Sequence, residues 1–334
     1  MAKIVGLDLG GNSINVTAYD GSRFLIEDMA ELPSLVTQGP DTCINQLESA
    51  FKMALERTGW SASDVDAVGL DTPGPISADG VLCSKGATNF SGEGYWNFDL
   101  RGALSQELEL PVSFLNDGNA AALYAHWKRF GDDPTKTSVS LIVGTGLGGG
   151  VVANGRVLVG RVGFAAELGH VTLPGNWYPD GSIPARCNCG KDSDLESIAS
   201  LTGIELNLLP YFLPKYPGHA LAALPIKEAA KKVRGLAEKG DELSRAVFRA
   251  QTWALAAHID QMINVFDPDA VFIGGGVIEA SEELREWYLE SIRKSIPFRD
   301  EQTDLDIEIV PDGDKAGARG ASVFAHQNAA RGAN

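Results

Sequence analysis

The chain predicts an α/β protein of two similar lobes, on three observations. Two stretches share one design, a β-rich run, a Gly-rich turn and a second β-rich run; helical apolar spacing lies between and after them; and short apolar strands interleave with those helices. The first stretch is residues 3–19, around Asp8, Leu9, Gly10, Gly11, Asn12 and Ser13. The second is residues 138–159, around Gly144, Thr145, Gly146, Leu147, Gly148, Gly149 and Gly150. Their likeness suggests an internal duplication. In the second, Asn154-Gly155 between apolar runs is a type I′ hairpin signal that extends the strands into a meander.

Along the chain, Ile44, Leu47, Phe51 and Leu55 mark a helix that Gly59 ends. Strands follow at 65–70, 112–115, 270–273 and 305–310, and helices at 119–130, 226–238, 242–265, 281–294 and 316–327. The expected division is an N-terminal lobe of residues 1–118, completed by 313–334, and a larger lobe of residues 119–312. No low-complexity linker separates them, so helices tie the walls of the cleft expected between the lobes.

A chain of 334 residues is long enough for two cores. Its net charge of −16 sets up a field that repels a phosphate backbone, and nucleic acid is excluded as a partner. Lys231, Lys232 and Arg234 sit among acids and read as a solvated helix face. Neither a secretion signal nor a bilayer-length apolar run is present, so a cytoplasmic protein with no membrane partner is expected. Cys43, Cys83, Cys187 and Cys189 are too few for a disulfide framework in this length, and reduced thiols are expected.

Glycine turns let backbone N–H groups approach an anion closely, so the two turns suit the phosphates of a nucleotide, with Thr145, Asn12 and Ser13 as added donors. Asp8 would position Mg²⁺ through its water shell. A single Gly-rich hairpin reads more simply as a tight turn; two in matching positions favour the phosphate reading. Gly274, Gly275 and Gly276 after an apolar strand suit a base or ribose on bare backbone, or equally a close strand-to-helix crossing. Asp117, between strand 112–115 and a helix, either accepts the proton of an attacking alcohol or caps the helix. Glu167, His170 and Glu196 would bond a polyol ring, against the plainer reading of surface acids and a core histidine. Cys187 and Cys189, with His170 and Asp194, read equally as one tetrahedral metal site or as free thiols.

Taken in order, Asp8-Leu9-Gly10-Gly11, Thr72-Pro73-Gly74-Pro75, Asn116-Asp117-Gly118-Asn119-Ala120-Ala121, the Gly144 turn, Glu167-Leu168-Gly169-His170, Cys187-Asn188-Cys189-Gly190 with Glu196, and Gly274-Gly275-Gly276-Val277 resemble the ROK family (repressors, open reading frames and sugar kinases), in particular its glucokinase-like members. The resemblance implies two RNase H-like lobes of the actin-like ATPase, hexokinase type, with ATP and sugar meeting in the cleft between them. It implies Asp117 as general base and Gly74, Asn89, Asn116, Asp117, Glu167, His170 and Glu196 around the sugar. Gly10, Gly11, Thr145 and Gly146 would lie around phosphates. A structural Zn²⁺ beside the sugar pocket and a homodimer are also implied.

Three departures stand out. Asn12 replaces the family's usual threonine; Ser193 and Asp194 replace the last glycine and cysteine of the zinc motif; and residues 171–186, with Trp177, Tyr178 and Pro179, are longer than the pattern. The expectation is phosphorylation of a hexose or hexose derivative by Mg-bound ATP, with glucose and its 6-hydroxyl as the default. The rivals are a sugar-responsive regulator, whose DNA-binding domain would have to precede Asp8, and an ATPase without a sugar acceptor.

Overall fold

Nearly every residue of β1 (Ile4–Leu9) and β4 (Ala67–Thr72) is buried, as strands covered on both faces require. The computed structural model that shows this describes residues 2–74, 76–82, 90, 93–173, 185–276 and 280–332. The first sheet adds β2 (Ser13–Tyr19), β3 (Glu31–Pro33) and β5 (Val112–Asn116) in the order β3-β2-β1-β4-β5. β2 runs antiparallel to β1, while β4 and β5 run parallel to it in succession. Helices α1 (Pro40–Thr58), α2 (Leu100–Leu108) and α3 (Asp117–Phe130) connect or follow these strands. Leu47, Phe51 and Ala54 of α1 bury the apolar face that the spacing predicts, and Gly59 ends the helix in a left-handed conformation.

The second sheet comprises β6 (Ser138–Val143), β7 (Leu147–Ala153), β8 (Arg156–Val157), β9 (Ala270–Gly275) and β10 (Asp306–Ile309), ordered β10-β9-β6-β7-β8. Both sheets therefore place their first strand centrally, the second and third on one side, and the fourth and fifth on the other. Asn154 and Gly155 join β7 to β8 with φ of 52° and 70°, the two positive values of a type I′ turn. Short helices α4 (Glu196–Ala199), α5 (Leu201–Gly203) and α6 (Leu209–Phe212), with a π-helical turn at Ile204–Leu208 between the last two, precede α7 (Ile226–Glu238), α8 (Glu242–Phe266) and α9 (Glu282–Ser295). The chain closes with α10 (Ala316–Gly332).

Two compact units result: residues 1–135, 150–166 and 311–334, and residues 136–149 and 167–310. The first differs from a lobe of residues 1–118 and 313–334 by keeping α3, which packs on α10, and by taking in residues 150–166. Small residues make that packing close. Gly6 and Gly69 are register partners in β1 and β4, and a Cβ on either would collide with Ser322 or with the Ala321 carbonyl of α10. A Cβ on Gly320 would likewise strike the Ala120 carbonyl of α3. Arg319, 7% exposed, bonds the Tyr124 hydroxyl and the Asp312 carboxylate beside the ring of Phe24, further tying α10 to α3.

Backbone cannot retreat from a new methyl as a flexible side chain can, so Gly320→Ala should cost about 1–3 kcal/mol. A urea melt checks this: the midpoint should fall while far-ultraviolet circular dichroism keeps its native shape. An unchanged midpoint would contradict the close approach of α10.

Candidate active site

Because β1, β4 and β5 are parallel, their C-terminal ends share one edge of the first sheet, and each end delivers an acid. Asp8 of β1 stands beside Asp71 of β4 in register, and Asp117 begins α3 directly after β5. The Oδ2 atoms of Asp8 and Asp71 both lie 2.9 Å from where a Cβ on Gly317 of α10 would sit, so only glycine leaves them room. Asn15 Nδ2 donates to Asp8 Oδ2 at 3.1 Å, which orients that carboxylate. Asp71 is completely buried, and no donor of the described residues reaches either of its oxygens.

Desolvation pushes the Asp8 carboxyl up to about 7; Asp117 and Asp314 add to the push, and the Asn15 bond opposes it. Asp8 remains half-buried, so solvent tempers the effect. Burial, with Asp8 and Asp117 nearby, raises Asp71 well above the ordinary carboxyl range. Adjacent carboxyls of this kind share a proton, since both cannot ionise cheaply. Desolvation also raises Asp117, against the bond from the Gly118 N–H at 2.7 Å.

The cap of α3 is Asn116, whose side chain accepts from the Gly118 N–H at 3.0 Å. Asp117 is therefore the first residue of a helix that starts two residues before the expected 119, and it is not the N-cap. Asn116 Nδ2 also lies 3.3 Å from the Cβ position of Gly74, so these two candidates and Asp117 come together. The Gly10 N–H donates to Ser13 O at 2.9 Å, closing the turn through Gly11 and Asn12.

In the second unit the matching turn is closed by the Gly144 N–H on Gly146 O, at 2.9 Å. It is held from behind: Leu201 N donates to Gly144 O, Thr202 N and Oγ1 donate to Thr145 O, and Leu147 N donates to Glu196 Oε2 at 2.8 Å. The side chain of Thr145 is left exposed. Glu167 precedes the short turn Leu168–His170, where Gly169 is required because a Cβ would strike Leu147 O. Thus Thr145, Gly146, Glu167, His170 and Glu196 gather around the start of β7.

His170, Cys187, Cys189 and Asp194 place one ligand atom each within 4.8 Å of the others. Measured edges are 3.1 Å from His170 Nδ1 to Asp194 Oδ2, 3.8 Å from that nitrogen to Cys187 Sγ, and 3.5 Å from Cys189 Sγ to Asp194 Oδ2. A tetrahedron with zinc bond lengths of about 2.0–2.3 Å has edges of roughly 3.3–3.8 Å, so the donors fit that ion. Burial alone would raise the Asp194 carboxyl, yet bonds from His170, the Ser197 N–H and both thiols hold it below the ordinary range. That acid is itself 0% exposed.

Gly274 and Gly275 are explained by packing, since Cβ atoms there would meet Ile142, Val310 and the Val143 backbone; one on Gly276 would make only ordinary contacts, with Arg234 and Val143 O. Arg234 is not simply a solvated face residue, because its guanidinium donates to Gly276 O at 2.7 Å. Asn89, Pro75, Cys83, residues 174–184 with Trp177, Tyr178 and Pro179, and Val277 lie outside the described residues. Asp71, Asn15 and Thr202 escaped sequence reading; the one available signal was an acid inside the apolar run of β4.

Two five-stranded sheets of matching topology, each with a glycine turn after its first strand, define the actin-like ATPase class of folds. The ROK family model matches residues 4–328, and the chain belongs to that family. It is 34% identical to a glucokinase of Halalkalibacterium halodurans over 84% of this chain and 82% of that one. It is 30% identical to an N-acetyl-D-glucosamine kinase of Pectobacterium atrosepticum, covering 96% and 97% of the two chains. A solved ROK family glucokinase of Streptomyces griseus, in complex with glucose and AMPPNP, superposes with a TM-score of 0.71 at 26% identity, covering 98% of this chain and 100% of that one.

An Asp71 carboxyl that stays protonated when folded but ionises when unfolded stabilises the fold fully only below about pH 4, and that contribution is lost as pH rises. Asp71→Asn, which keeps a donor toward Asp8 and cannot ionise, should therefore raise the urea midpoint at pH 8. The gain should shrink toward about pH 4, the ordinary carboxyl value. A gap independent of pH, or a loss at pH 8, would contradict the shared proton.

Proposed function

We propose that this chain transfers the γ-phosphoryl group of Mg-bound ATP to a hydroxyl of a hexose, with Asp117 as the general base. The observation that supports this most is the convergence of Asp8, Asp71 and Asp117 on the strand-end edge of one sheet, next to a glycine turn. The relatives are named as kinases of glucose and of N-acetyl-D-glucosamine, which makes those two sugars the first candidates as acceptors.

The chemistry follows from these groups. Turn amides at Gly11 and Gly146, with Asn12, Ser13 and Thr145, would bond phosphate oxygens, while the Gly10 N–H closes the first turn on Ser13 O. Asp8, oriented by Asn15, offers the hard oxygen that Mg²⁺ prefers, and that ion would neutralise charge on the phosphates. Asp117, its proton affinity raised by desolvation, would accept the proton of the attacking hydroxyl and aim its oxygen. Transfer through a loose transition state demands mainly this alignment. Asn116, Glu167 and Glu196 would bond other sugar hydroxyls. His170 directs Nδ1 at Asp194, which would leave Nε2 for a sugar hydroxyl. Zn²⁺ held by His170, Cys187, Cys189 and Asp194 would fix the loop beside Glu196.

Asp117→Asn keeps shape and hydrogen-bonding capacity but not basicity. Its kcat should drop by about 10²–10⁴-fold, while the sugar dissociation constant from calorimetry stays within about twofold. Near-normal turnover would remove Asp117 from this role.

A further inference from the structure

Glu196 sits at the start of α4, which is four residues long and too short to persist unaided. Its carbonyls are held by two side-chain amides. Gln251, buried in α8, reaches Ile198 O, Ala199 O and Ser200 O at 3.3, 2.9 and 3.4 Å. Asn207 Nδ2 donates to Ser197 O at 2.7 Å. The same Asn207 amide also pairs both polar backbone groups of Arg186, donating to its carbonyl at 3.0 Å and accepting from its N–H at 3.2 Å. Arg186 immediately precedes Cys187, whose thiol lies 3.3 Å from Glu196 Oε1. Partners fix the amide's orientation, because two carbonyls must face nitrogen and one N–H must face oxygen.

Asn207 lies in the π-helical turn Ile204–Leu208. Nearby Gly203 lets the chain press on α4: a Cβ there would sit 2.7 Å from Ser197 O and 2.9 Å from Glu196 O. One side chain thus spans two segments separated in sequence, the loop that carries Cys187 and Cys189 and the helix that carries Glu196.

Given the kinase function proposed above, we infer that Asn207 is a positioning residue that locks the Cys187 loop to α4, setting Glu196 for the acceptor sugar and the thiols for zinc. An aspartate at this position would turn lone pairs toward two carbonyls, and a glutamine would be one methylene too long. The loss of Asn207 acts through Cys187 and Glu196, so sugar and metal affinity should change together while ATP binding does not.

The test uses full-length Asn207→Ala and Asn207→Asp, with Asn207→Ser in reserve should either fail to fold. Zinc alone is titrated into metal-free protein against a chromophoric chelator, and KM is measured separately for sugar and ATP. Zinc affinity should weaken by about 10–100-fold, the usual cost of losing support behind a ligand. Sugar KM should rise by about tenfold with ATP KM within about twofold. A lower melting temperature with zinc affinity and sugar KM unchanged would reduce Asn207 to a fold-stabilising residue and overturn the inference. Glu196→Gln separates the two claims: if it leaves sugar KM unchanged, Glu196 is not a sugar ligand, and zinc affinity alone then decides the role of Asn207.

Discussion

The approach of α10 to β1 and β4 is the constraint from which the chemistry of the first unit follows. It exists because Gly6, Gly69, Gly317 and Gly320 remove every Cβ that would hold the helix off the strands and α3. With the helix so close, water is excluded above Asp71 and restricted above Asp8. The two carboxyls lie close together with only Asn15, among the described residues, donating to Asp8, and their proton affinity rises.

The two sheets put one topology to different uses. In both, a central strand runs into a glycine turn closed by its own backbone. In the first unit the strands beyond the turn bring Asp71, next to last in β4, and Asp117, just after β5. In the second the turn is braced by Leu201, Thr202 and Glu196, and the same Glu196 lies against Cys187. The glycine turn, the Glu196 carboxylate and the Cys187 loop are thereby linked through a helix of four residues, itself held by Asn207 and Gln251.

Long periodic elements were legible from residues alone: the helix at 226–238 is where the spacing puts it, and the Asn154-Gly155 turn has the backbone that its chemistry dictates. Most strand and helix ends shifted by one or two residues, the C-terminal end of α10 by five, and most usefully at α3, where Asn116 takes the cap and Asp117 enters the helix. Segments α4 to α6 were invisible because helices this short show no period. The burial of Asp71 depends on a helix almost 250 residues later in the chain, beyond any local signal. Asn207 and Arg234 resemble ordinary surface polar residues until the carbonyls they bond are placed beside them.

Product analysis tests the central claim most directly. With Mg²⁺ and ATP present, ADP formation should rise sharply on adding glucose or N-acetyl-D-glucosamine, and ³¹P NMR should show one sugar phosphate per ADP. ADP released at the same rate with and without any hexose, with inorganic phosphate as the sole product, would contradict it.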